Sequence, residues 1–137
     1  MALVTSDLGE IQLLTKMLQA TLSVDENYIL KLYSNNVTPD NTFITTSLTE
    51  ASFTNYAAKT LARASWSTPT TISGAATSTY ATQSWTCGAS GQTVYGYWVQ
   101  GATSGTLLWA EKFATSRTLA TGDILNVSLS FSLNSAN

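Results

Sequence analysis

Ile124-Leu125-Asn126-Val127-Ser128-Leu129-Ser130-Phe131-Ser132-Leu133 is the stretch that decides the fold class. Leu125, Val127, Leu129, Phe131 and Leu133 alternate strictly with Asn126, Ser128, Ser130, Ser132 and Asn134. Successive side chains of a strand point to opposite faces, so this period of two predicts a strand with one face on a core and one polar face. Strands covered on one side belong to antiparallel sheets. Thr121-Gly122-Asp123, just before it, is turn chemistry.

The same reading extends toward the N-terminus. Residues 92–99 hold Val94, Tyr95, Tyr97 and Trp98, and residues 106–113 hold Leu107, Leu108, Trp109 and Phe113. With the Gly-containing stretch 100–105 between them, they predict a hairpin. Residues 79–87 alternate around Tyr80, Thr82 and Trp85 and end at the turn Gly88-Ala89-Ser90-Gly91. Residues 57–66, 42–48 and 28–33 predict further strands, and Val37-Thr38-Pro39-Asp40-Asn41 and Ser73-Gly74-Ala75-Ala76 predict loops. The spacing predicts a mainly β chain, an antiparallel β-sandwich or jelly roll of about seven or eight strands with one N-terminal α-helix.

The helix is the exception to the β pattern. Asp7 can cap it, and Glu10 stands three residues later in a capping-box-like start. Leu8, Ile11, Leu14, Leu18 and Leu22 form one stripe at helical spacing, which Leu13 and Met17 widen. Only Gln12, Lys16 and Gln19 mark a polar face. A helix this apolar calls for cover on two sides. One side is its own domain; the other calls either for a second subunit or for the helix to be sunk into that same domain. Leu8, Ile11, Leu14, Met17 and Leu18 are the candidate partner contacts. Residues 1–27 are therefore expected to form a helical arm and residues 28–137 the sandwich, in a single domain.

The 137 residues include 17 Ser and 23 Thr, while charged residues are only 10% against about 25% in an ordinary soluble domain. Such a surface is polar but weakly charged, so little ionic hydration opposes its burial against a partner. Net charge is −2, and the six basic residues are scattered, which leaves no basic patch for nucleic acid or for a charged membrane surface. No apolar run is long enough to cross a bilayer, and Asp7 and Glu10 interrupt any secretory signal.

Chemistry is sparse. Histidine is absent, which removes Ser-His-Asp and Cys-His catalysis and the common zinc sites. Cys87 is the one cysteine, expected to be a small buried residue. Gly88-Ala89-Ser90-Gly91 lacks the spacing and the Lys of a phosphate loop. Asp7 and Glu10 belong to the helix start, and Asp25, Glu26, Asp40 and Asp123 to turns. Only Glu50 and Glu111 remain as acids worth weighing. Glu111 shares a strand face with Trp109 and Phe113, where a cross-strand Lys or Arg partner or a place near a sheet edge is expected before a raised-pKa acid between aromatics. Asp40, Asn41 and Asp123 lack the acidic cluster that calcium needs. Trp66, Trp85, Trp98 and Trp109 are expected to be core or interface anchors before they are a sugar platform. No catalytic residue, metal or cofactor is expected.

Five stretches taken in order carry a resemblance. They are Leu30-Lys31-Leu32-Tyr33-Ser34-Asn35-Asn36-Val37-Thr38-Pro39-Asp40, then Ser47-Leu48-Thr49-Glu50-Ala51-Ser52-Phe53-Thr54-Asn55-Tyr56-Ala57, then Val94-Tyr95-Gly96-Tyr97-Trp98-Val99, Leu107-Leu108-Trp109-Ala110-Glu111-Lys112-Phe113 and Leu119-Ala120-Thr121-Gly122-Asp123. Together they resemble small structural proteins of tailed bacteriophages, of the capsid decoration (cement) or head- and tail-accessory kind. The resemblance covers most of residues 28–133 and brings no catalytic residue with it. It implies a homo-oligomeric virion component on the capsid surface, made in the host cytoplasm, whose partner is the major capsid protein or another virion protein. A tail- or fibre-associated module and a jelly-roll carbohydrate-binding module are the alternatives.

Overall fold

The computed structural model describes residues 3–18 and 26–133. In chain order these form β1 (Val4–Thr5), α1 (Asp7–Leu18), β2 (Tyr28–Tyr33), β3 (Lys59–Leu61), β4 (Thr70–Ile72), β5 (Ala75–Thr86), β6 (Thr93–Gly101), β7 (Leu107–Thr118) and β8 (Ile124–Leu133). Five strands pair in the order β1-β7-β6-β2-β3 and three in the order β4-β5-β8, all antiparallel. This is a β-sandwich with one N-terminal helix, as the alternation predicted.

The two-residue patterns place the core. Leu125, Val127 and Leu129 of β8 point into the sandwich with Trp85 of β5, and meet Leu30 and Leu32 of β2 and Tyr97 and Val99 of β6. Each such aliphatic side chain contributes about 1.5–3 kcal/mol when fully buried. The five-stranded sheet is covered on its outer face as well. Tyr33, Trp98, Leu107 and Ala110 form a second cluster there with Leu48, against which Val37 and Phe43 pack. The long excursion between β2 and β3 supplies that cover.

The excursion corrects the expected strand at 42–48. Residues 41–42 turn and Thr45–Ser47 form one 3₁₀ turn. Side chains take the backbone groups that a ladder would need. Asp40 Oδ1 accepts from the Thr42 amide at 2.8 Å and from the Thr42 hydroxyl at 2.7 Å. Asn35 donates to the Ser47 carbonyl at 3.0 Å and accepts from the Thr49 amide at 2.9 Å. The expected strand at 57–66 shrinks to β3. Beyond it the Ala62 amide donates to Tyr80 Oη (3.0 Å) and the Arg63 amide to Asn27 Oδ1 (3.2 Å), and Arg63–Ser65 turn as a 3₁₀ helix. The expected loop at 73–76 is a two-residue hairpin between β4 and β5. Ser73 and Gly74 both adopt left-handed backbone, with φ of 50° and 83°. A type I′ turn requires that of its two central residues.

The helix cap is also one residue earlier than expected. Ser6, not Asp7, caps α1: its Oγ accepts from the Gly9 amide (3.0 Å) while donating to the Leu107 carbonyl (2.5 Å). A hydroxyl can do both at once, and a carboxylate cannot donate. Asp7 sits in the first turn, where it accepts from Asn41 Nδ2 (3.1 Å) and donates its amide to the Asn41 carbonyl (2.9 Å). With β1 paired to β7, residues 3–18 are built onto the edge of the larger sheet.

Candidate assembly surface

The orientation of α1 follows from its one glycine. Gly9 lies against the main chain of Leu108, so close that any side chain there would collide with it. That approach turns Gly9 toward the sandwich, and Gln12, Leu13 and Lys16 follow on the same side within one to two turns. The opposite side carries Leu8, Ile11, Leu14 and Leu18, which are 46%, 60%, 55% and 76% exposed. Four of the five candidate contacts thus lie together on one outward face. The side chain of Met17 and the whole of Leu22 lie outside the described residues. A stripe of aliphatic side chains directed away from its own core is a surface of the kind that binds protein.

Beneath α1 the helix closes over an aromatic cleft. Leu13, Tyr28, Trp109 and Phe131 line a cavity of about 30 Å³ beside Gln12, and they also line a wider one of about 220 Å³ beside Trp66. The rings meet at edges and tilts: Trp109 stands 4.8 Å from Phe131, 5.9 Å from Trp66 and 6.2 Å from Tyr28. Buried atoms without a hydrogen-bond partner among the described residues include Gln12 Oε1 and Trp66 Nε1. Trp85, Trp98 and Trp109 are buried in the two cores, and Trp66 is half-buried. No flat, exposed platform of tryptophan rings results.

Glu26, expected in a turn, is a buried tie between three segments. Its Oε2 accepts from the amides of Thr103 and Ser104 (2.9 Å for the latter), and its Oε1 from the Ser104 hydroxyl (2.7 Å) and from Gln12 Nε2 (3.4 Å). Burial pushes the carboxyl up, but these donors together outweigh it and hold the group below the ordinary carboxylate value. Sequence offered no signal for this role, because Ser104 is 78 residues away.

Three further acids are occupied. Glu50 pairs with Lys31 (2.9 Å) and accepts from the Tyr56 hydroxyl (3.1 Å). Glu111 takes neither Lys nor Arg as its close hydrogen-bond partner: its Oε2 accepts from the Tyr97 hydroxyl at 2.6 Å, across the β6–β7 pairing. Asp123 accepts from the Ala120 amide (2.9 Å) in its turn. Among the described residues no three His, Cys, Asp or Glu come together as a metal site, and no helix is long and apolar enough to cross a membrane. Asp25 lies outside the described residues. No protein-family model and no curated protein matches the chain.

Proposed function

We propose that this chain is a structural subunit of a virus particle, a capsid decoration protein without catalytic activity that binds the major capsid protein of the head shell. The observation that carries the reading is the outward face of α1: Leu8, Ile11, Leu14 and Leu18 are exposed while Gly9 and Gln12 face the sandwich. Three further features support it. The surface is rich in Ser and Thr and poor in charge, so it is desolvated at little cost. Six of the eight acids, Asp7, Glu26, Asp40, Glu50, Glu111 and Asp123, already accept hydrogen bonds within the fold. The stretches between Leu30 and Asp123 resemble those of phage head and tail accessory proteins. On a shell that presents the same site many times, a modest contact through four aliphatic side chains is multiplied by avidity.

The glycan-binding alternative has less to stand on, since three of the four tryptophans are buried.

The test is co-sedimentation with empty heads assembled from tailed-phage major capsid protein. The full chain is expected to pellet at a fixed ratio to the capsid subunit. The double variant Ile11→Ser/Leu14→Ser is expected to stay in the supernatant with an unchanged circular dichroism spectrum. A wild-type chain that stays in the supernatant, or a variant that pellets equally well, removes the proposal.

A further inference from the structure

A sandwich has open strand edges, and proteins blunt them with short strands, prolines, bulges or lysines. Three of the four sheet edges here carry such devices. β1 is two residues long and runs straight into α1. β3 is three residues long and contains Lys59. β4 is three residues long and follows Pro69. The part of β7 that extends past β1 carries Lys112 and Arg117.

β8 has none of these protections. Among the described residues it pairs only with β5, so its other edge is open along Ile124–Leu133. Those ten residues include no charged residue, no proline and no glycine. The irregularity in the β5–β8 ladder falls on β5, where Tyr80 to Gln83 spans one residue more than Leu129 to Val127, so β8 itself runs straight. A groove of about 280 Å³ between β7 and β8 opens the flank beside its first residues; Phe113 and Thr115 of β7 and Leu125 and Asn126 of β8 line it, with Glu111 and Arg117, one charge of each sign, on the β7 side.

We propose that the β8 edge pairs antiparallel with β8 of a second copy of this chain, joining two three-stranded sheets into one of six. The strand is complementary to itself. Directly opposed residues of an antiparallel pair share a face, so only registers that place like-facing residues together are allowed. Pairings centred on Ser128 or on Leu129 both satisfy this. They set Asn126, Ser128, Ser130 and Ser132 against one another outside and Leu125, Val127, Leu129 and Phe131 against one another inside. In neither does a charge of β8 face another charge, because β8 has none. The Ser/Thr/Asn ladder that already links β8 to β5, through Thr77–Ser132 (2.8 Å), Thr82–Ser128 (2.9 Å) and Ser84–Asn126 (2.5 Å), continues across the new seam. A full register closes about one main-chain hydrogen bond per residue in a two-fold, self-limiting contact. The contact extends the assembly reading but does not depend on it, since α1 takes no part.

The experiment is light scattering on the full chain over a dilution series, with Ser128→Lys/Ser130→Lys as the probe. Both positions are exposed. In either register at least one introduced lysine of each copy directly faces a lysine of the other. Wild type is expected to be a dimer, and the lysine pair is expected to weaken dimerisation at least about tenfold with the β spectrum intact. Hydrogen exchange on the unmodified chain gives a readout that needs no variant: β8 amides lose protection on dilution while those of β6 do not. Ile11→Ser/Leu14→Ser is expected to keep the dimer while losing the shell, which separates this contact from the proposed capsid contact. A chain monomeric at every concentration, a dimer that survives the two lysines, or β8 protection independent of concentration overturns the proposal.

Discussion

Gly9 of α1 rests on the main chain of Leu108: a Cβ at position 9 would overlap the Leu108 carbonyl oxygen. Alanine within a helix ordinarily stabilises by about 1 kcal/mol relative to glycine. Here the obstacle is main chain, which no rotamer change relieves. Gly9→Ala is therefore expected to destabilise by about 1–3 kcal/mol, as overpacking does, and to loosen α1 from β7. Urea unfolding checks the sign. A stabilised variant would mean that the helix does not sit this close.

Glu26 ties Gln12 of α1 to Thr103 and Ser104 in the β6–β7 connection. Glu26→Gln keeps the shape but turns a donor toward amides and hydroxyls that themselves donate. The expected cost at neutral pH is about 1–3 kcal/mol. Glu26 binds a proton less readily in the folded chain than in the unfolded one, because its folded pKa is lowered. Its contribution is complete above the unfolded value, about 4.3, and is lost as pH falls from there through the lower folded value. Acid unfolding of Glu26→Gln should thus be less steep in that window than that of the parent chain.

How much of this was legible depended on whether a signal was local. The alternation of residues 124–133 needs only its own side chains, and β8 follows it. Tyr28–Tyr33 carries β-branched and aromatic residues between polar breaks, and β2 has those bounds. The expected strand at 42–48 was lost to Asp40 and Asn35, whose side chains bond the backbone of the excursion in preference to a ladder. The apolar stripe of α1 was visible, but the direction it faces was not. The clue was Gly9, a glycine within the helix whose reason is the close approach to Leu108. The Glu26 tie joins residues 78 apart in sequence, which neither periodicity nor motif spacing can reach, whereas the Tyr97–Glu111 bond lies within the expected hairpin and only the identity of the partner was missed.

The buried and half-buried phenols give a pH dependence of opposite sign. Tyr28, Tyr33, Tyr56 and Tyr97 are all raised above the ordinary phenol value, chiefly by burial, and Tyr97 also by the Glu111 carboxylate that accepts from it. Their contribution is complete below the unfolded value, about 10, and is lost as pH rises above it. In alkaline titration the phenolate absorbance of these four should lag behind that of the unfolded chain and then appear together with loss of the β spectrum. Tyr97→Phe should remove one late phenol and cost about 1 kcal/mol, since the half-buried Glu111 can regain water. Four phenols that titrate freely with the fold intact would contradict this packing.

The two faces of α1 should respond to truncation in different ways. Ile11 and Leu14 are more than half exposed, so Ile11→Ser/Leu14→Ser removes little buried area and is expected to change stability by less than about 1 kcal/mol. Leu13 packs into the aromatic cleft with Tyr28, Trp109 and Phe131. Leu13→Ala, a single change, is expected to cost about 1–2 kcal/mol, more than the outward pair together. Thermal unfolding of both variants measures the contrast. If the outward pair proved the more costly, those leucine and isoleucine side chains would be covered within the chain, and α1 would have no free apolar face to offer a partner. If Leu13→Ala alone is costly, the outward stripe contributes nothing to the fold that holds it, and its aliphatic character has to be explained by what binds there.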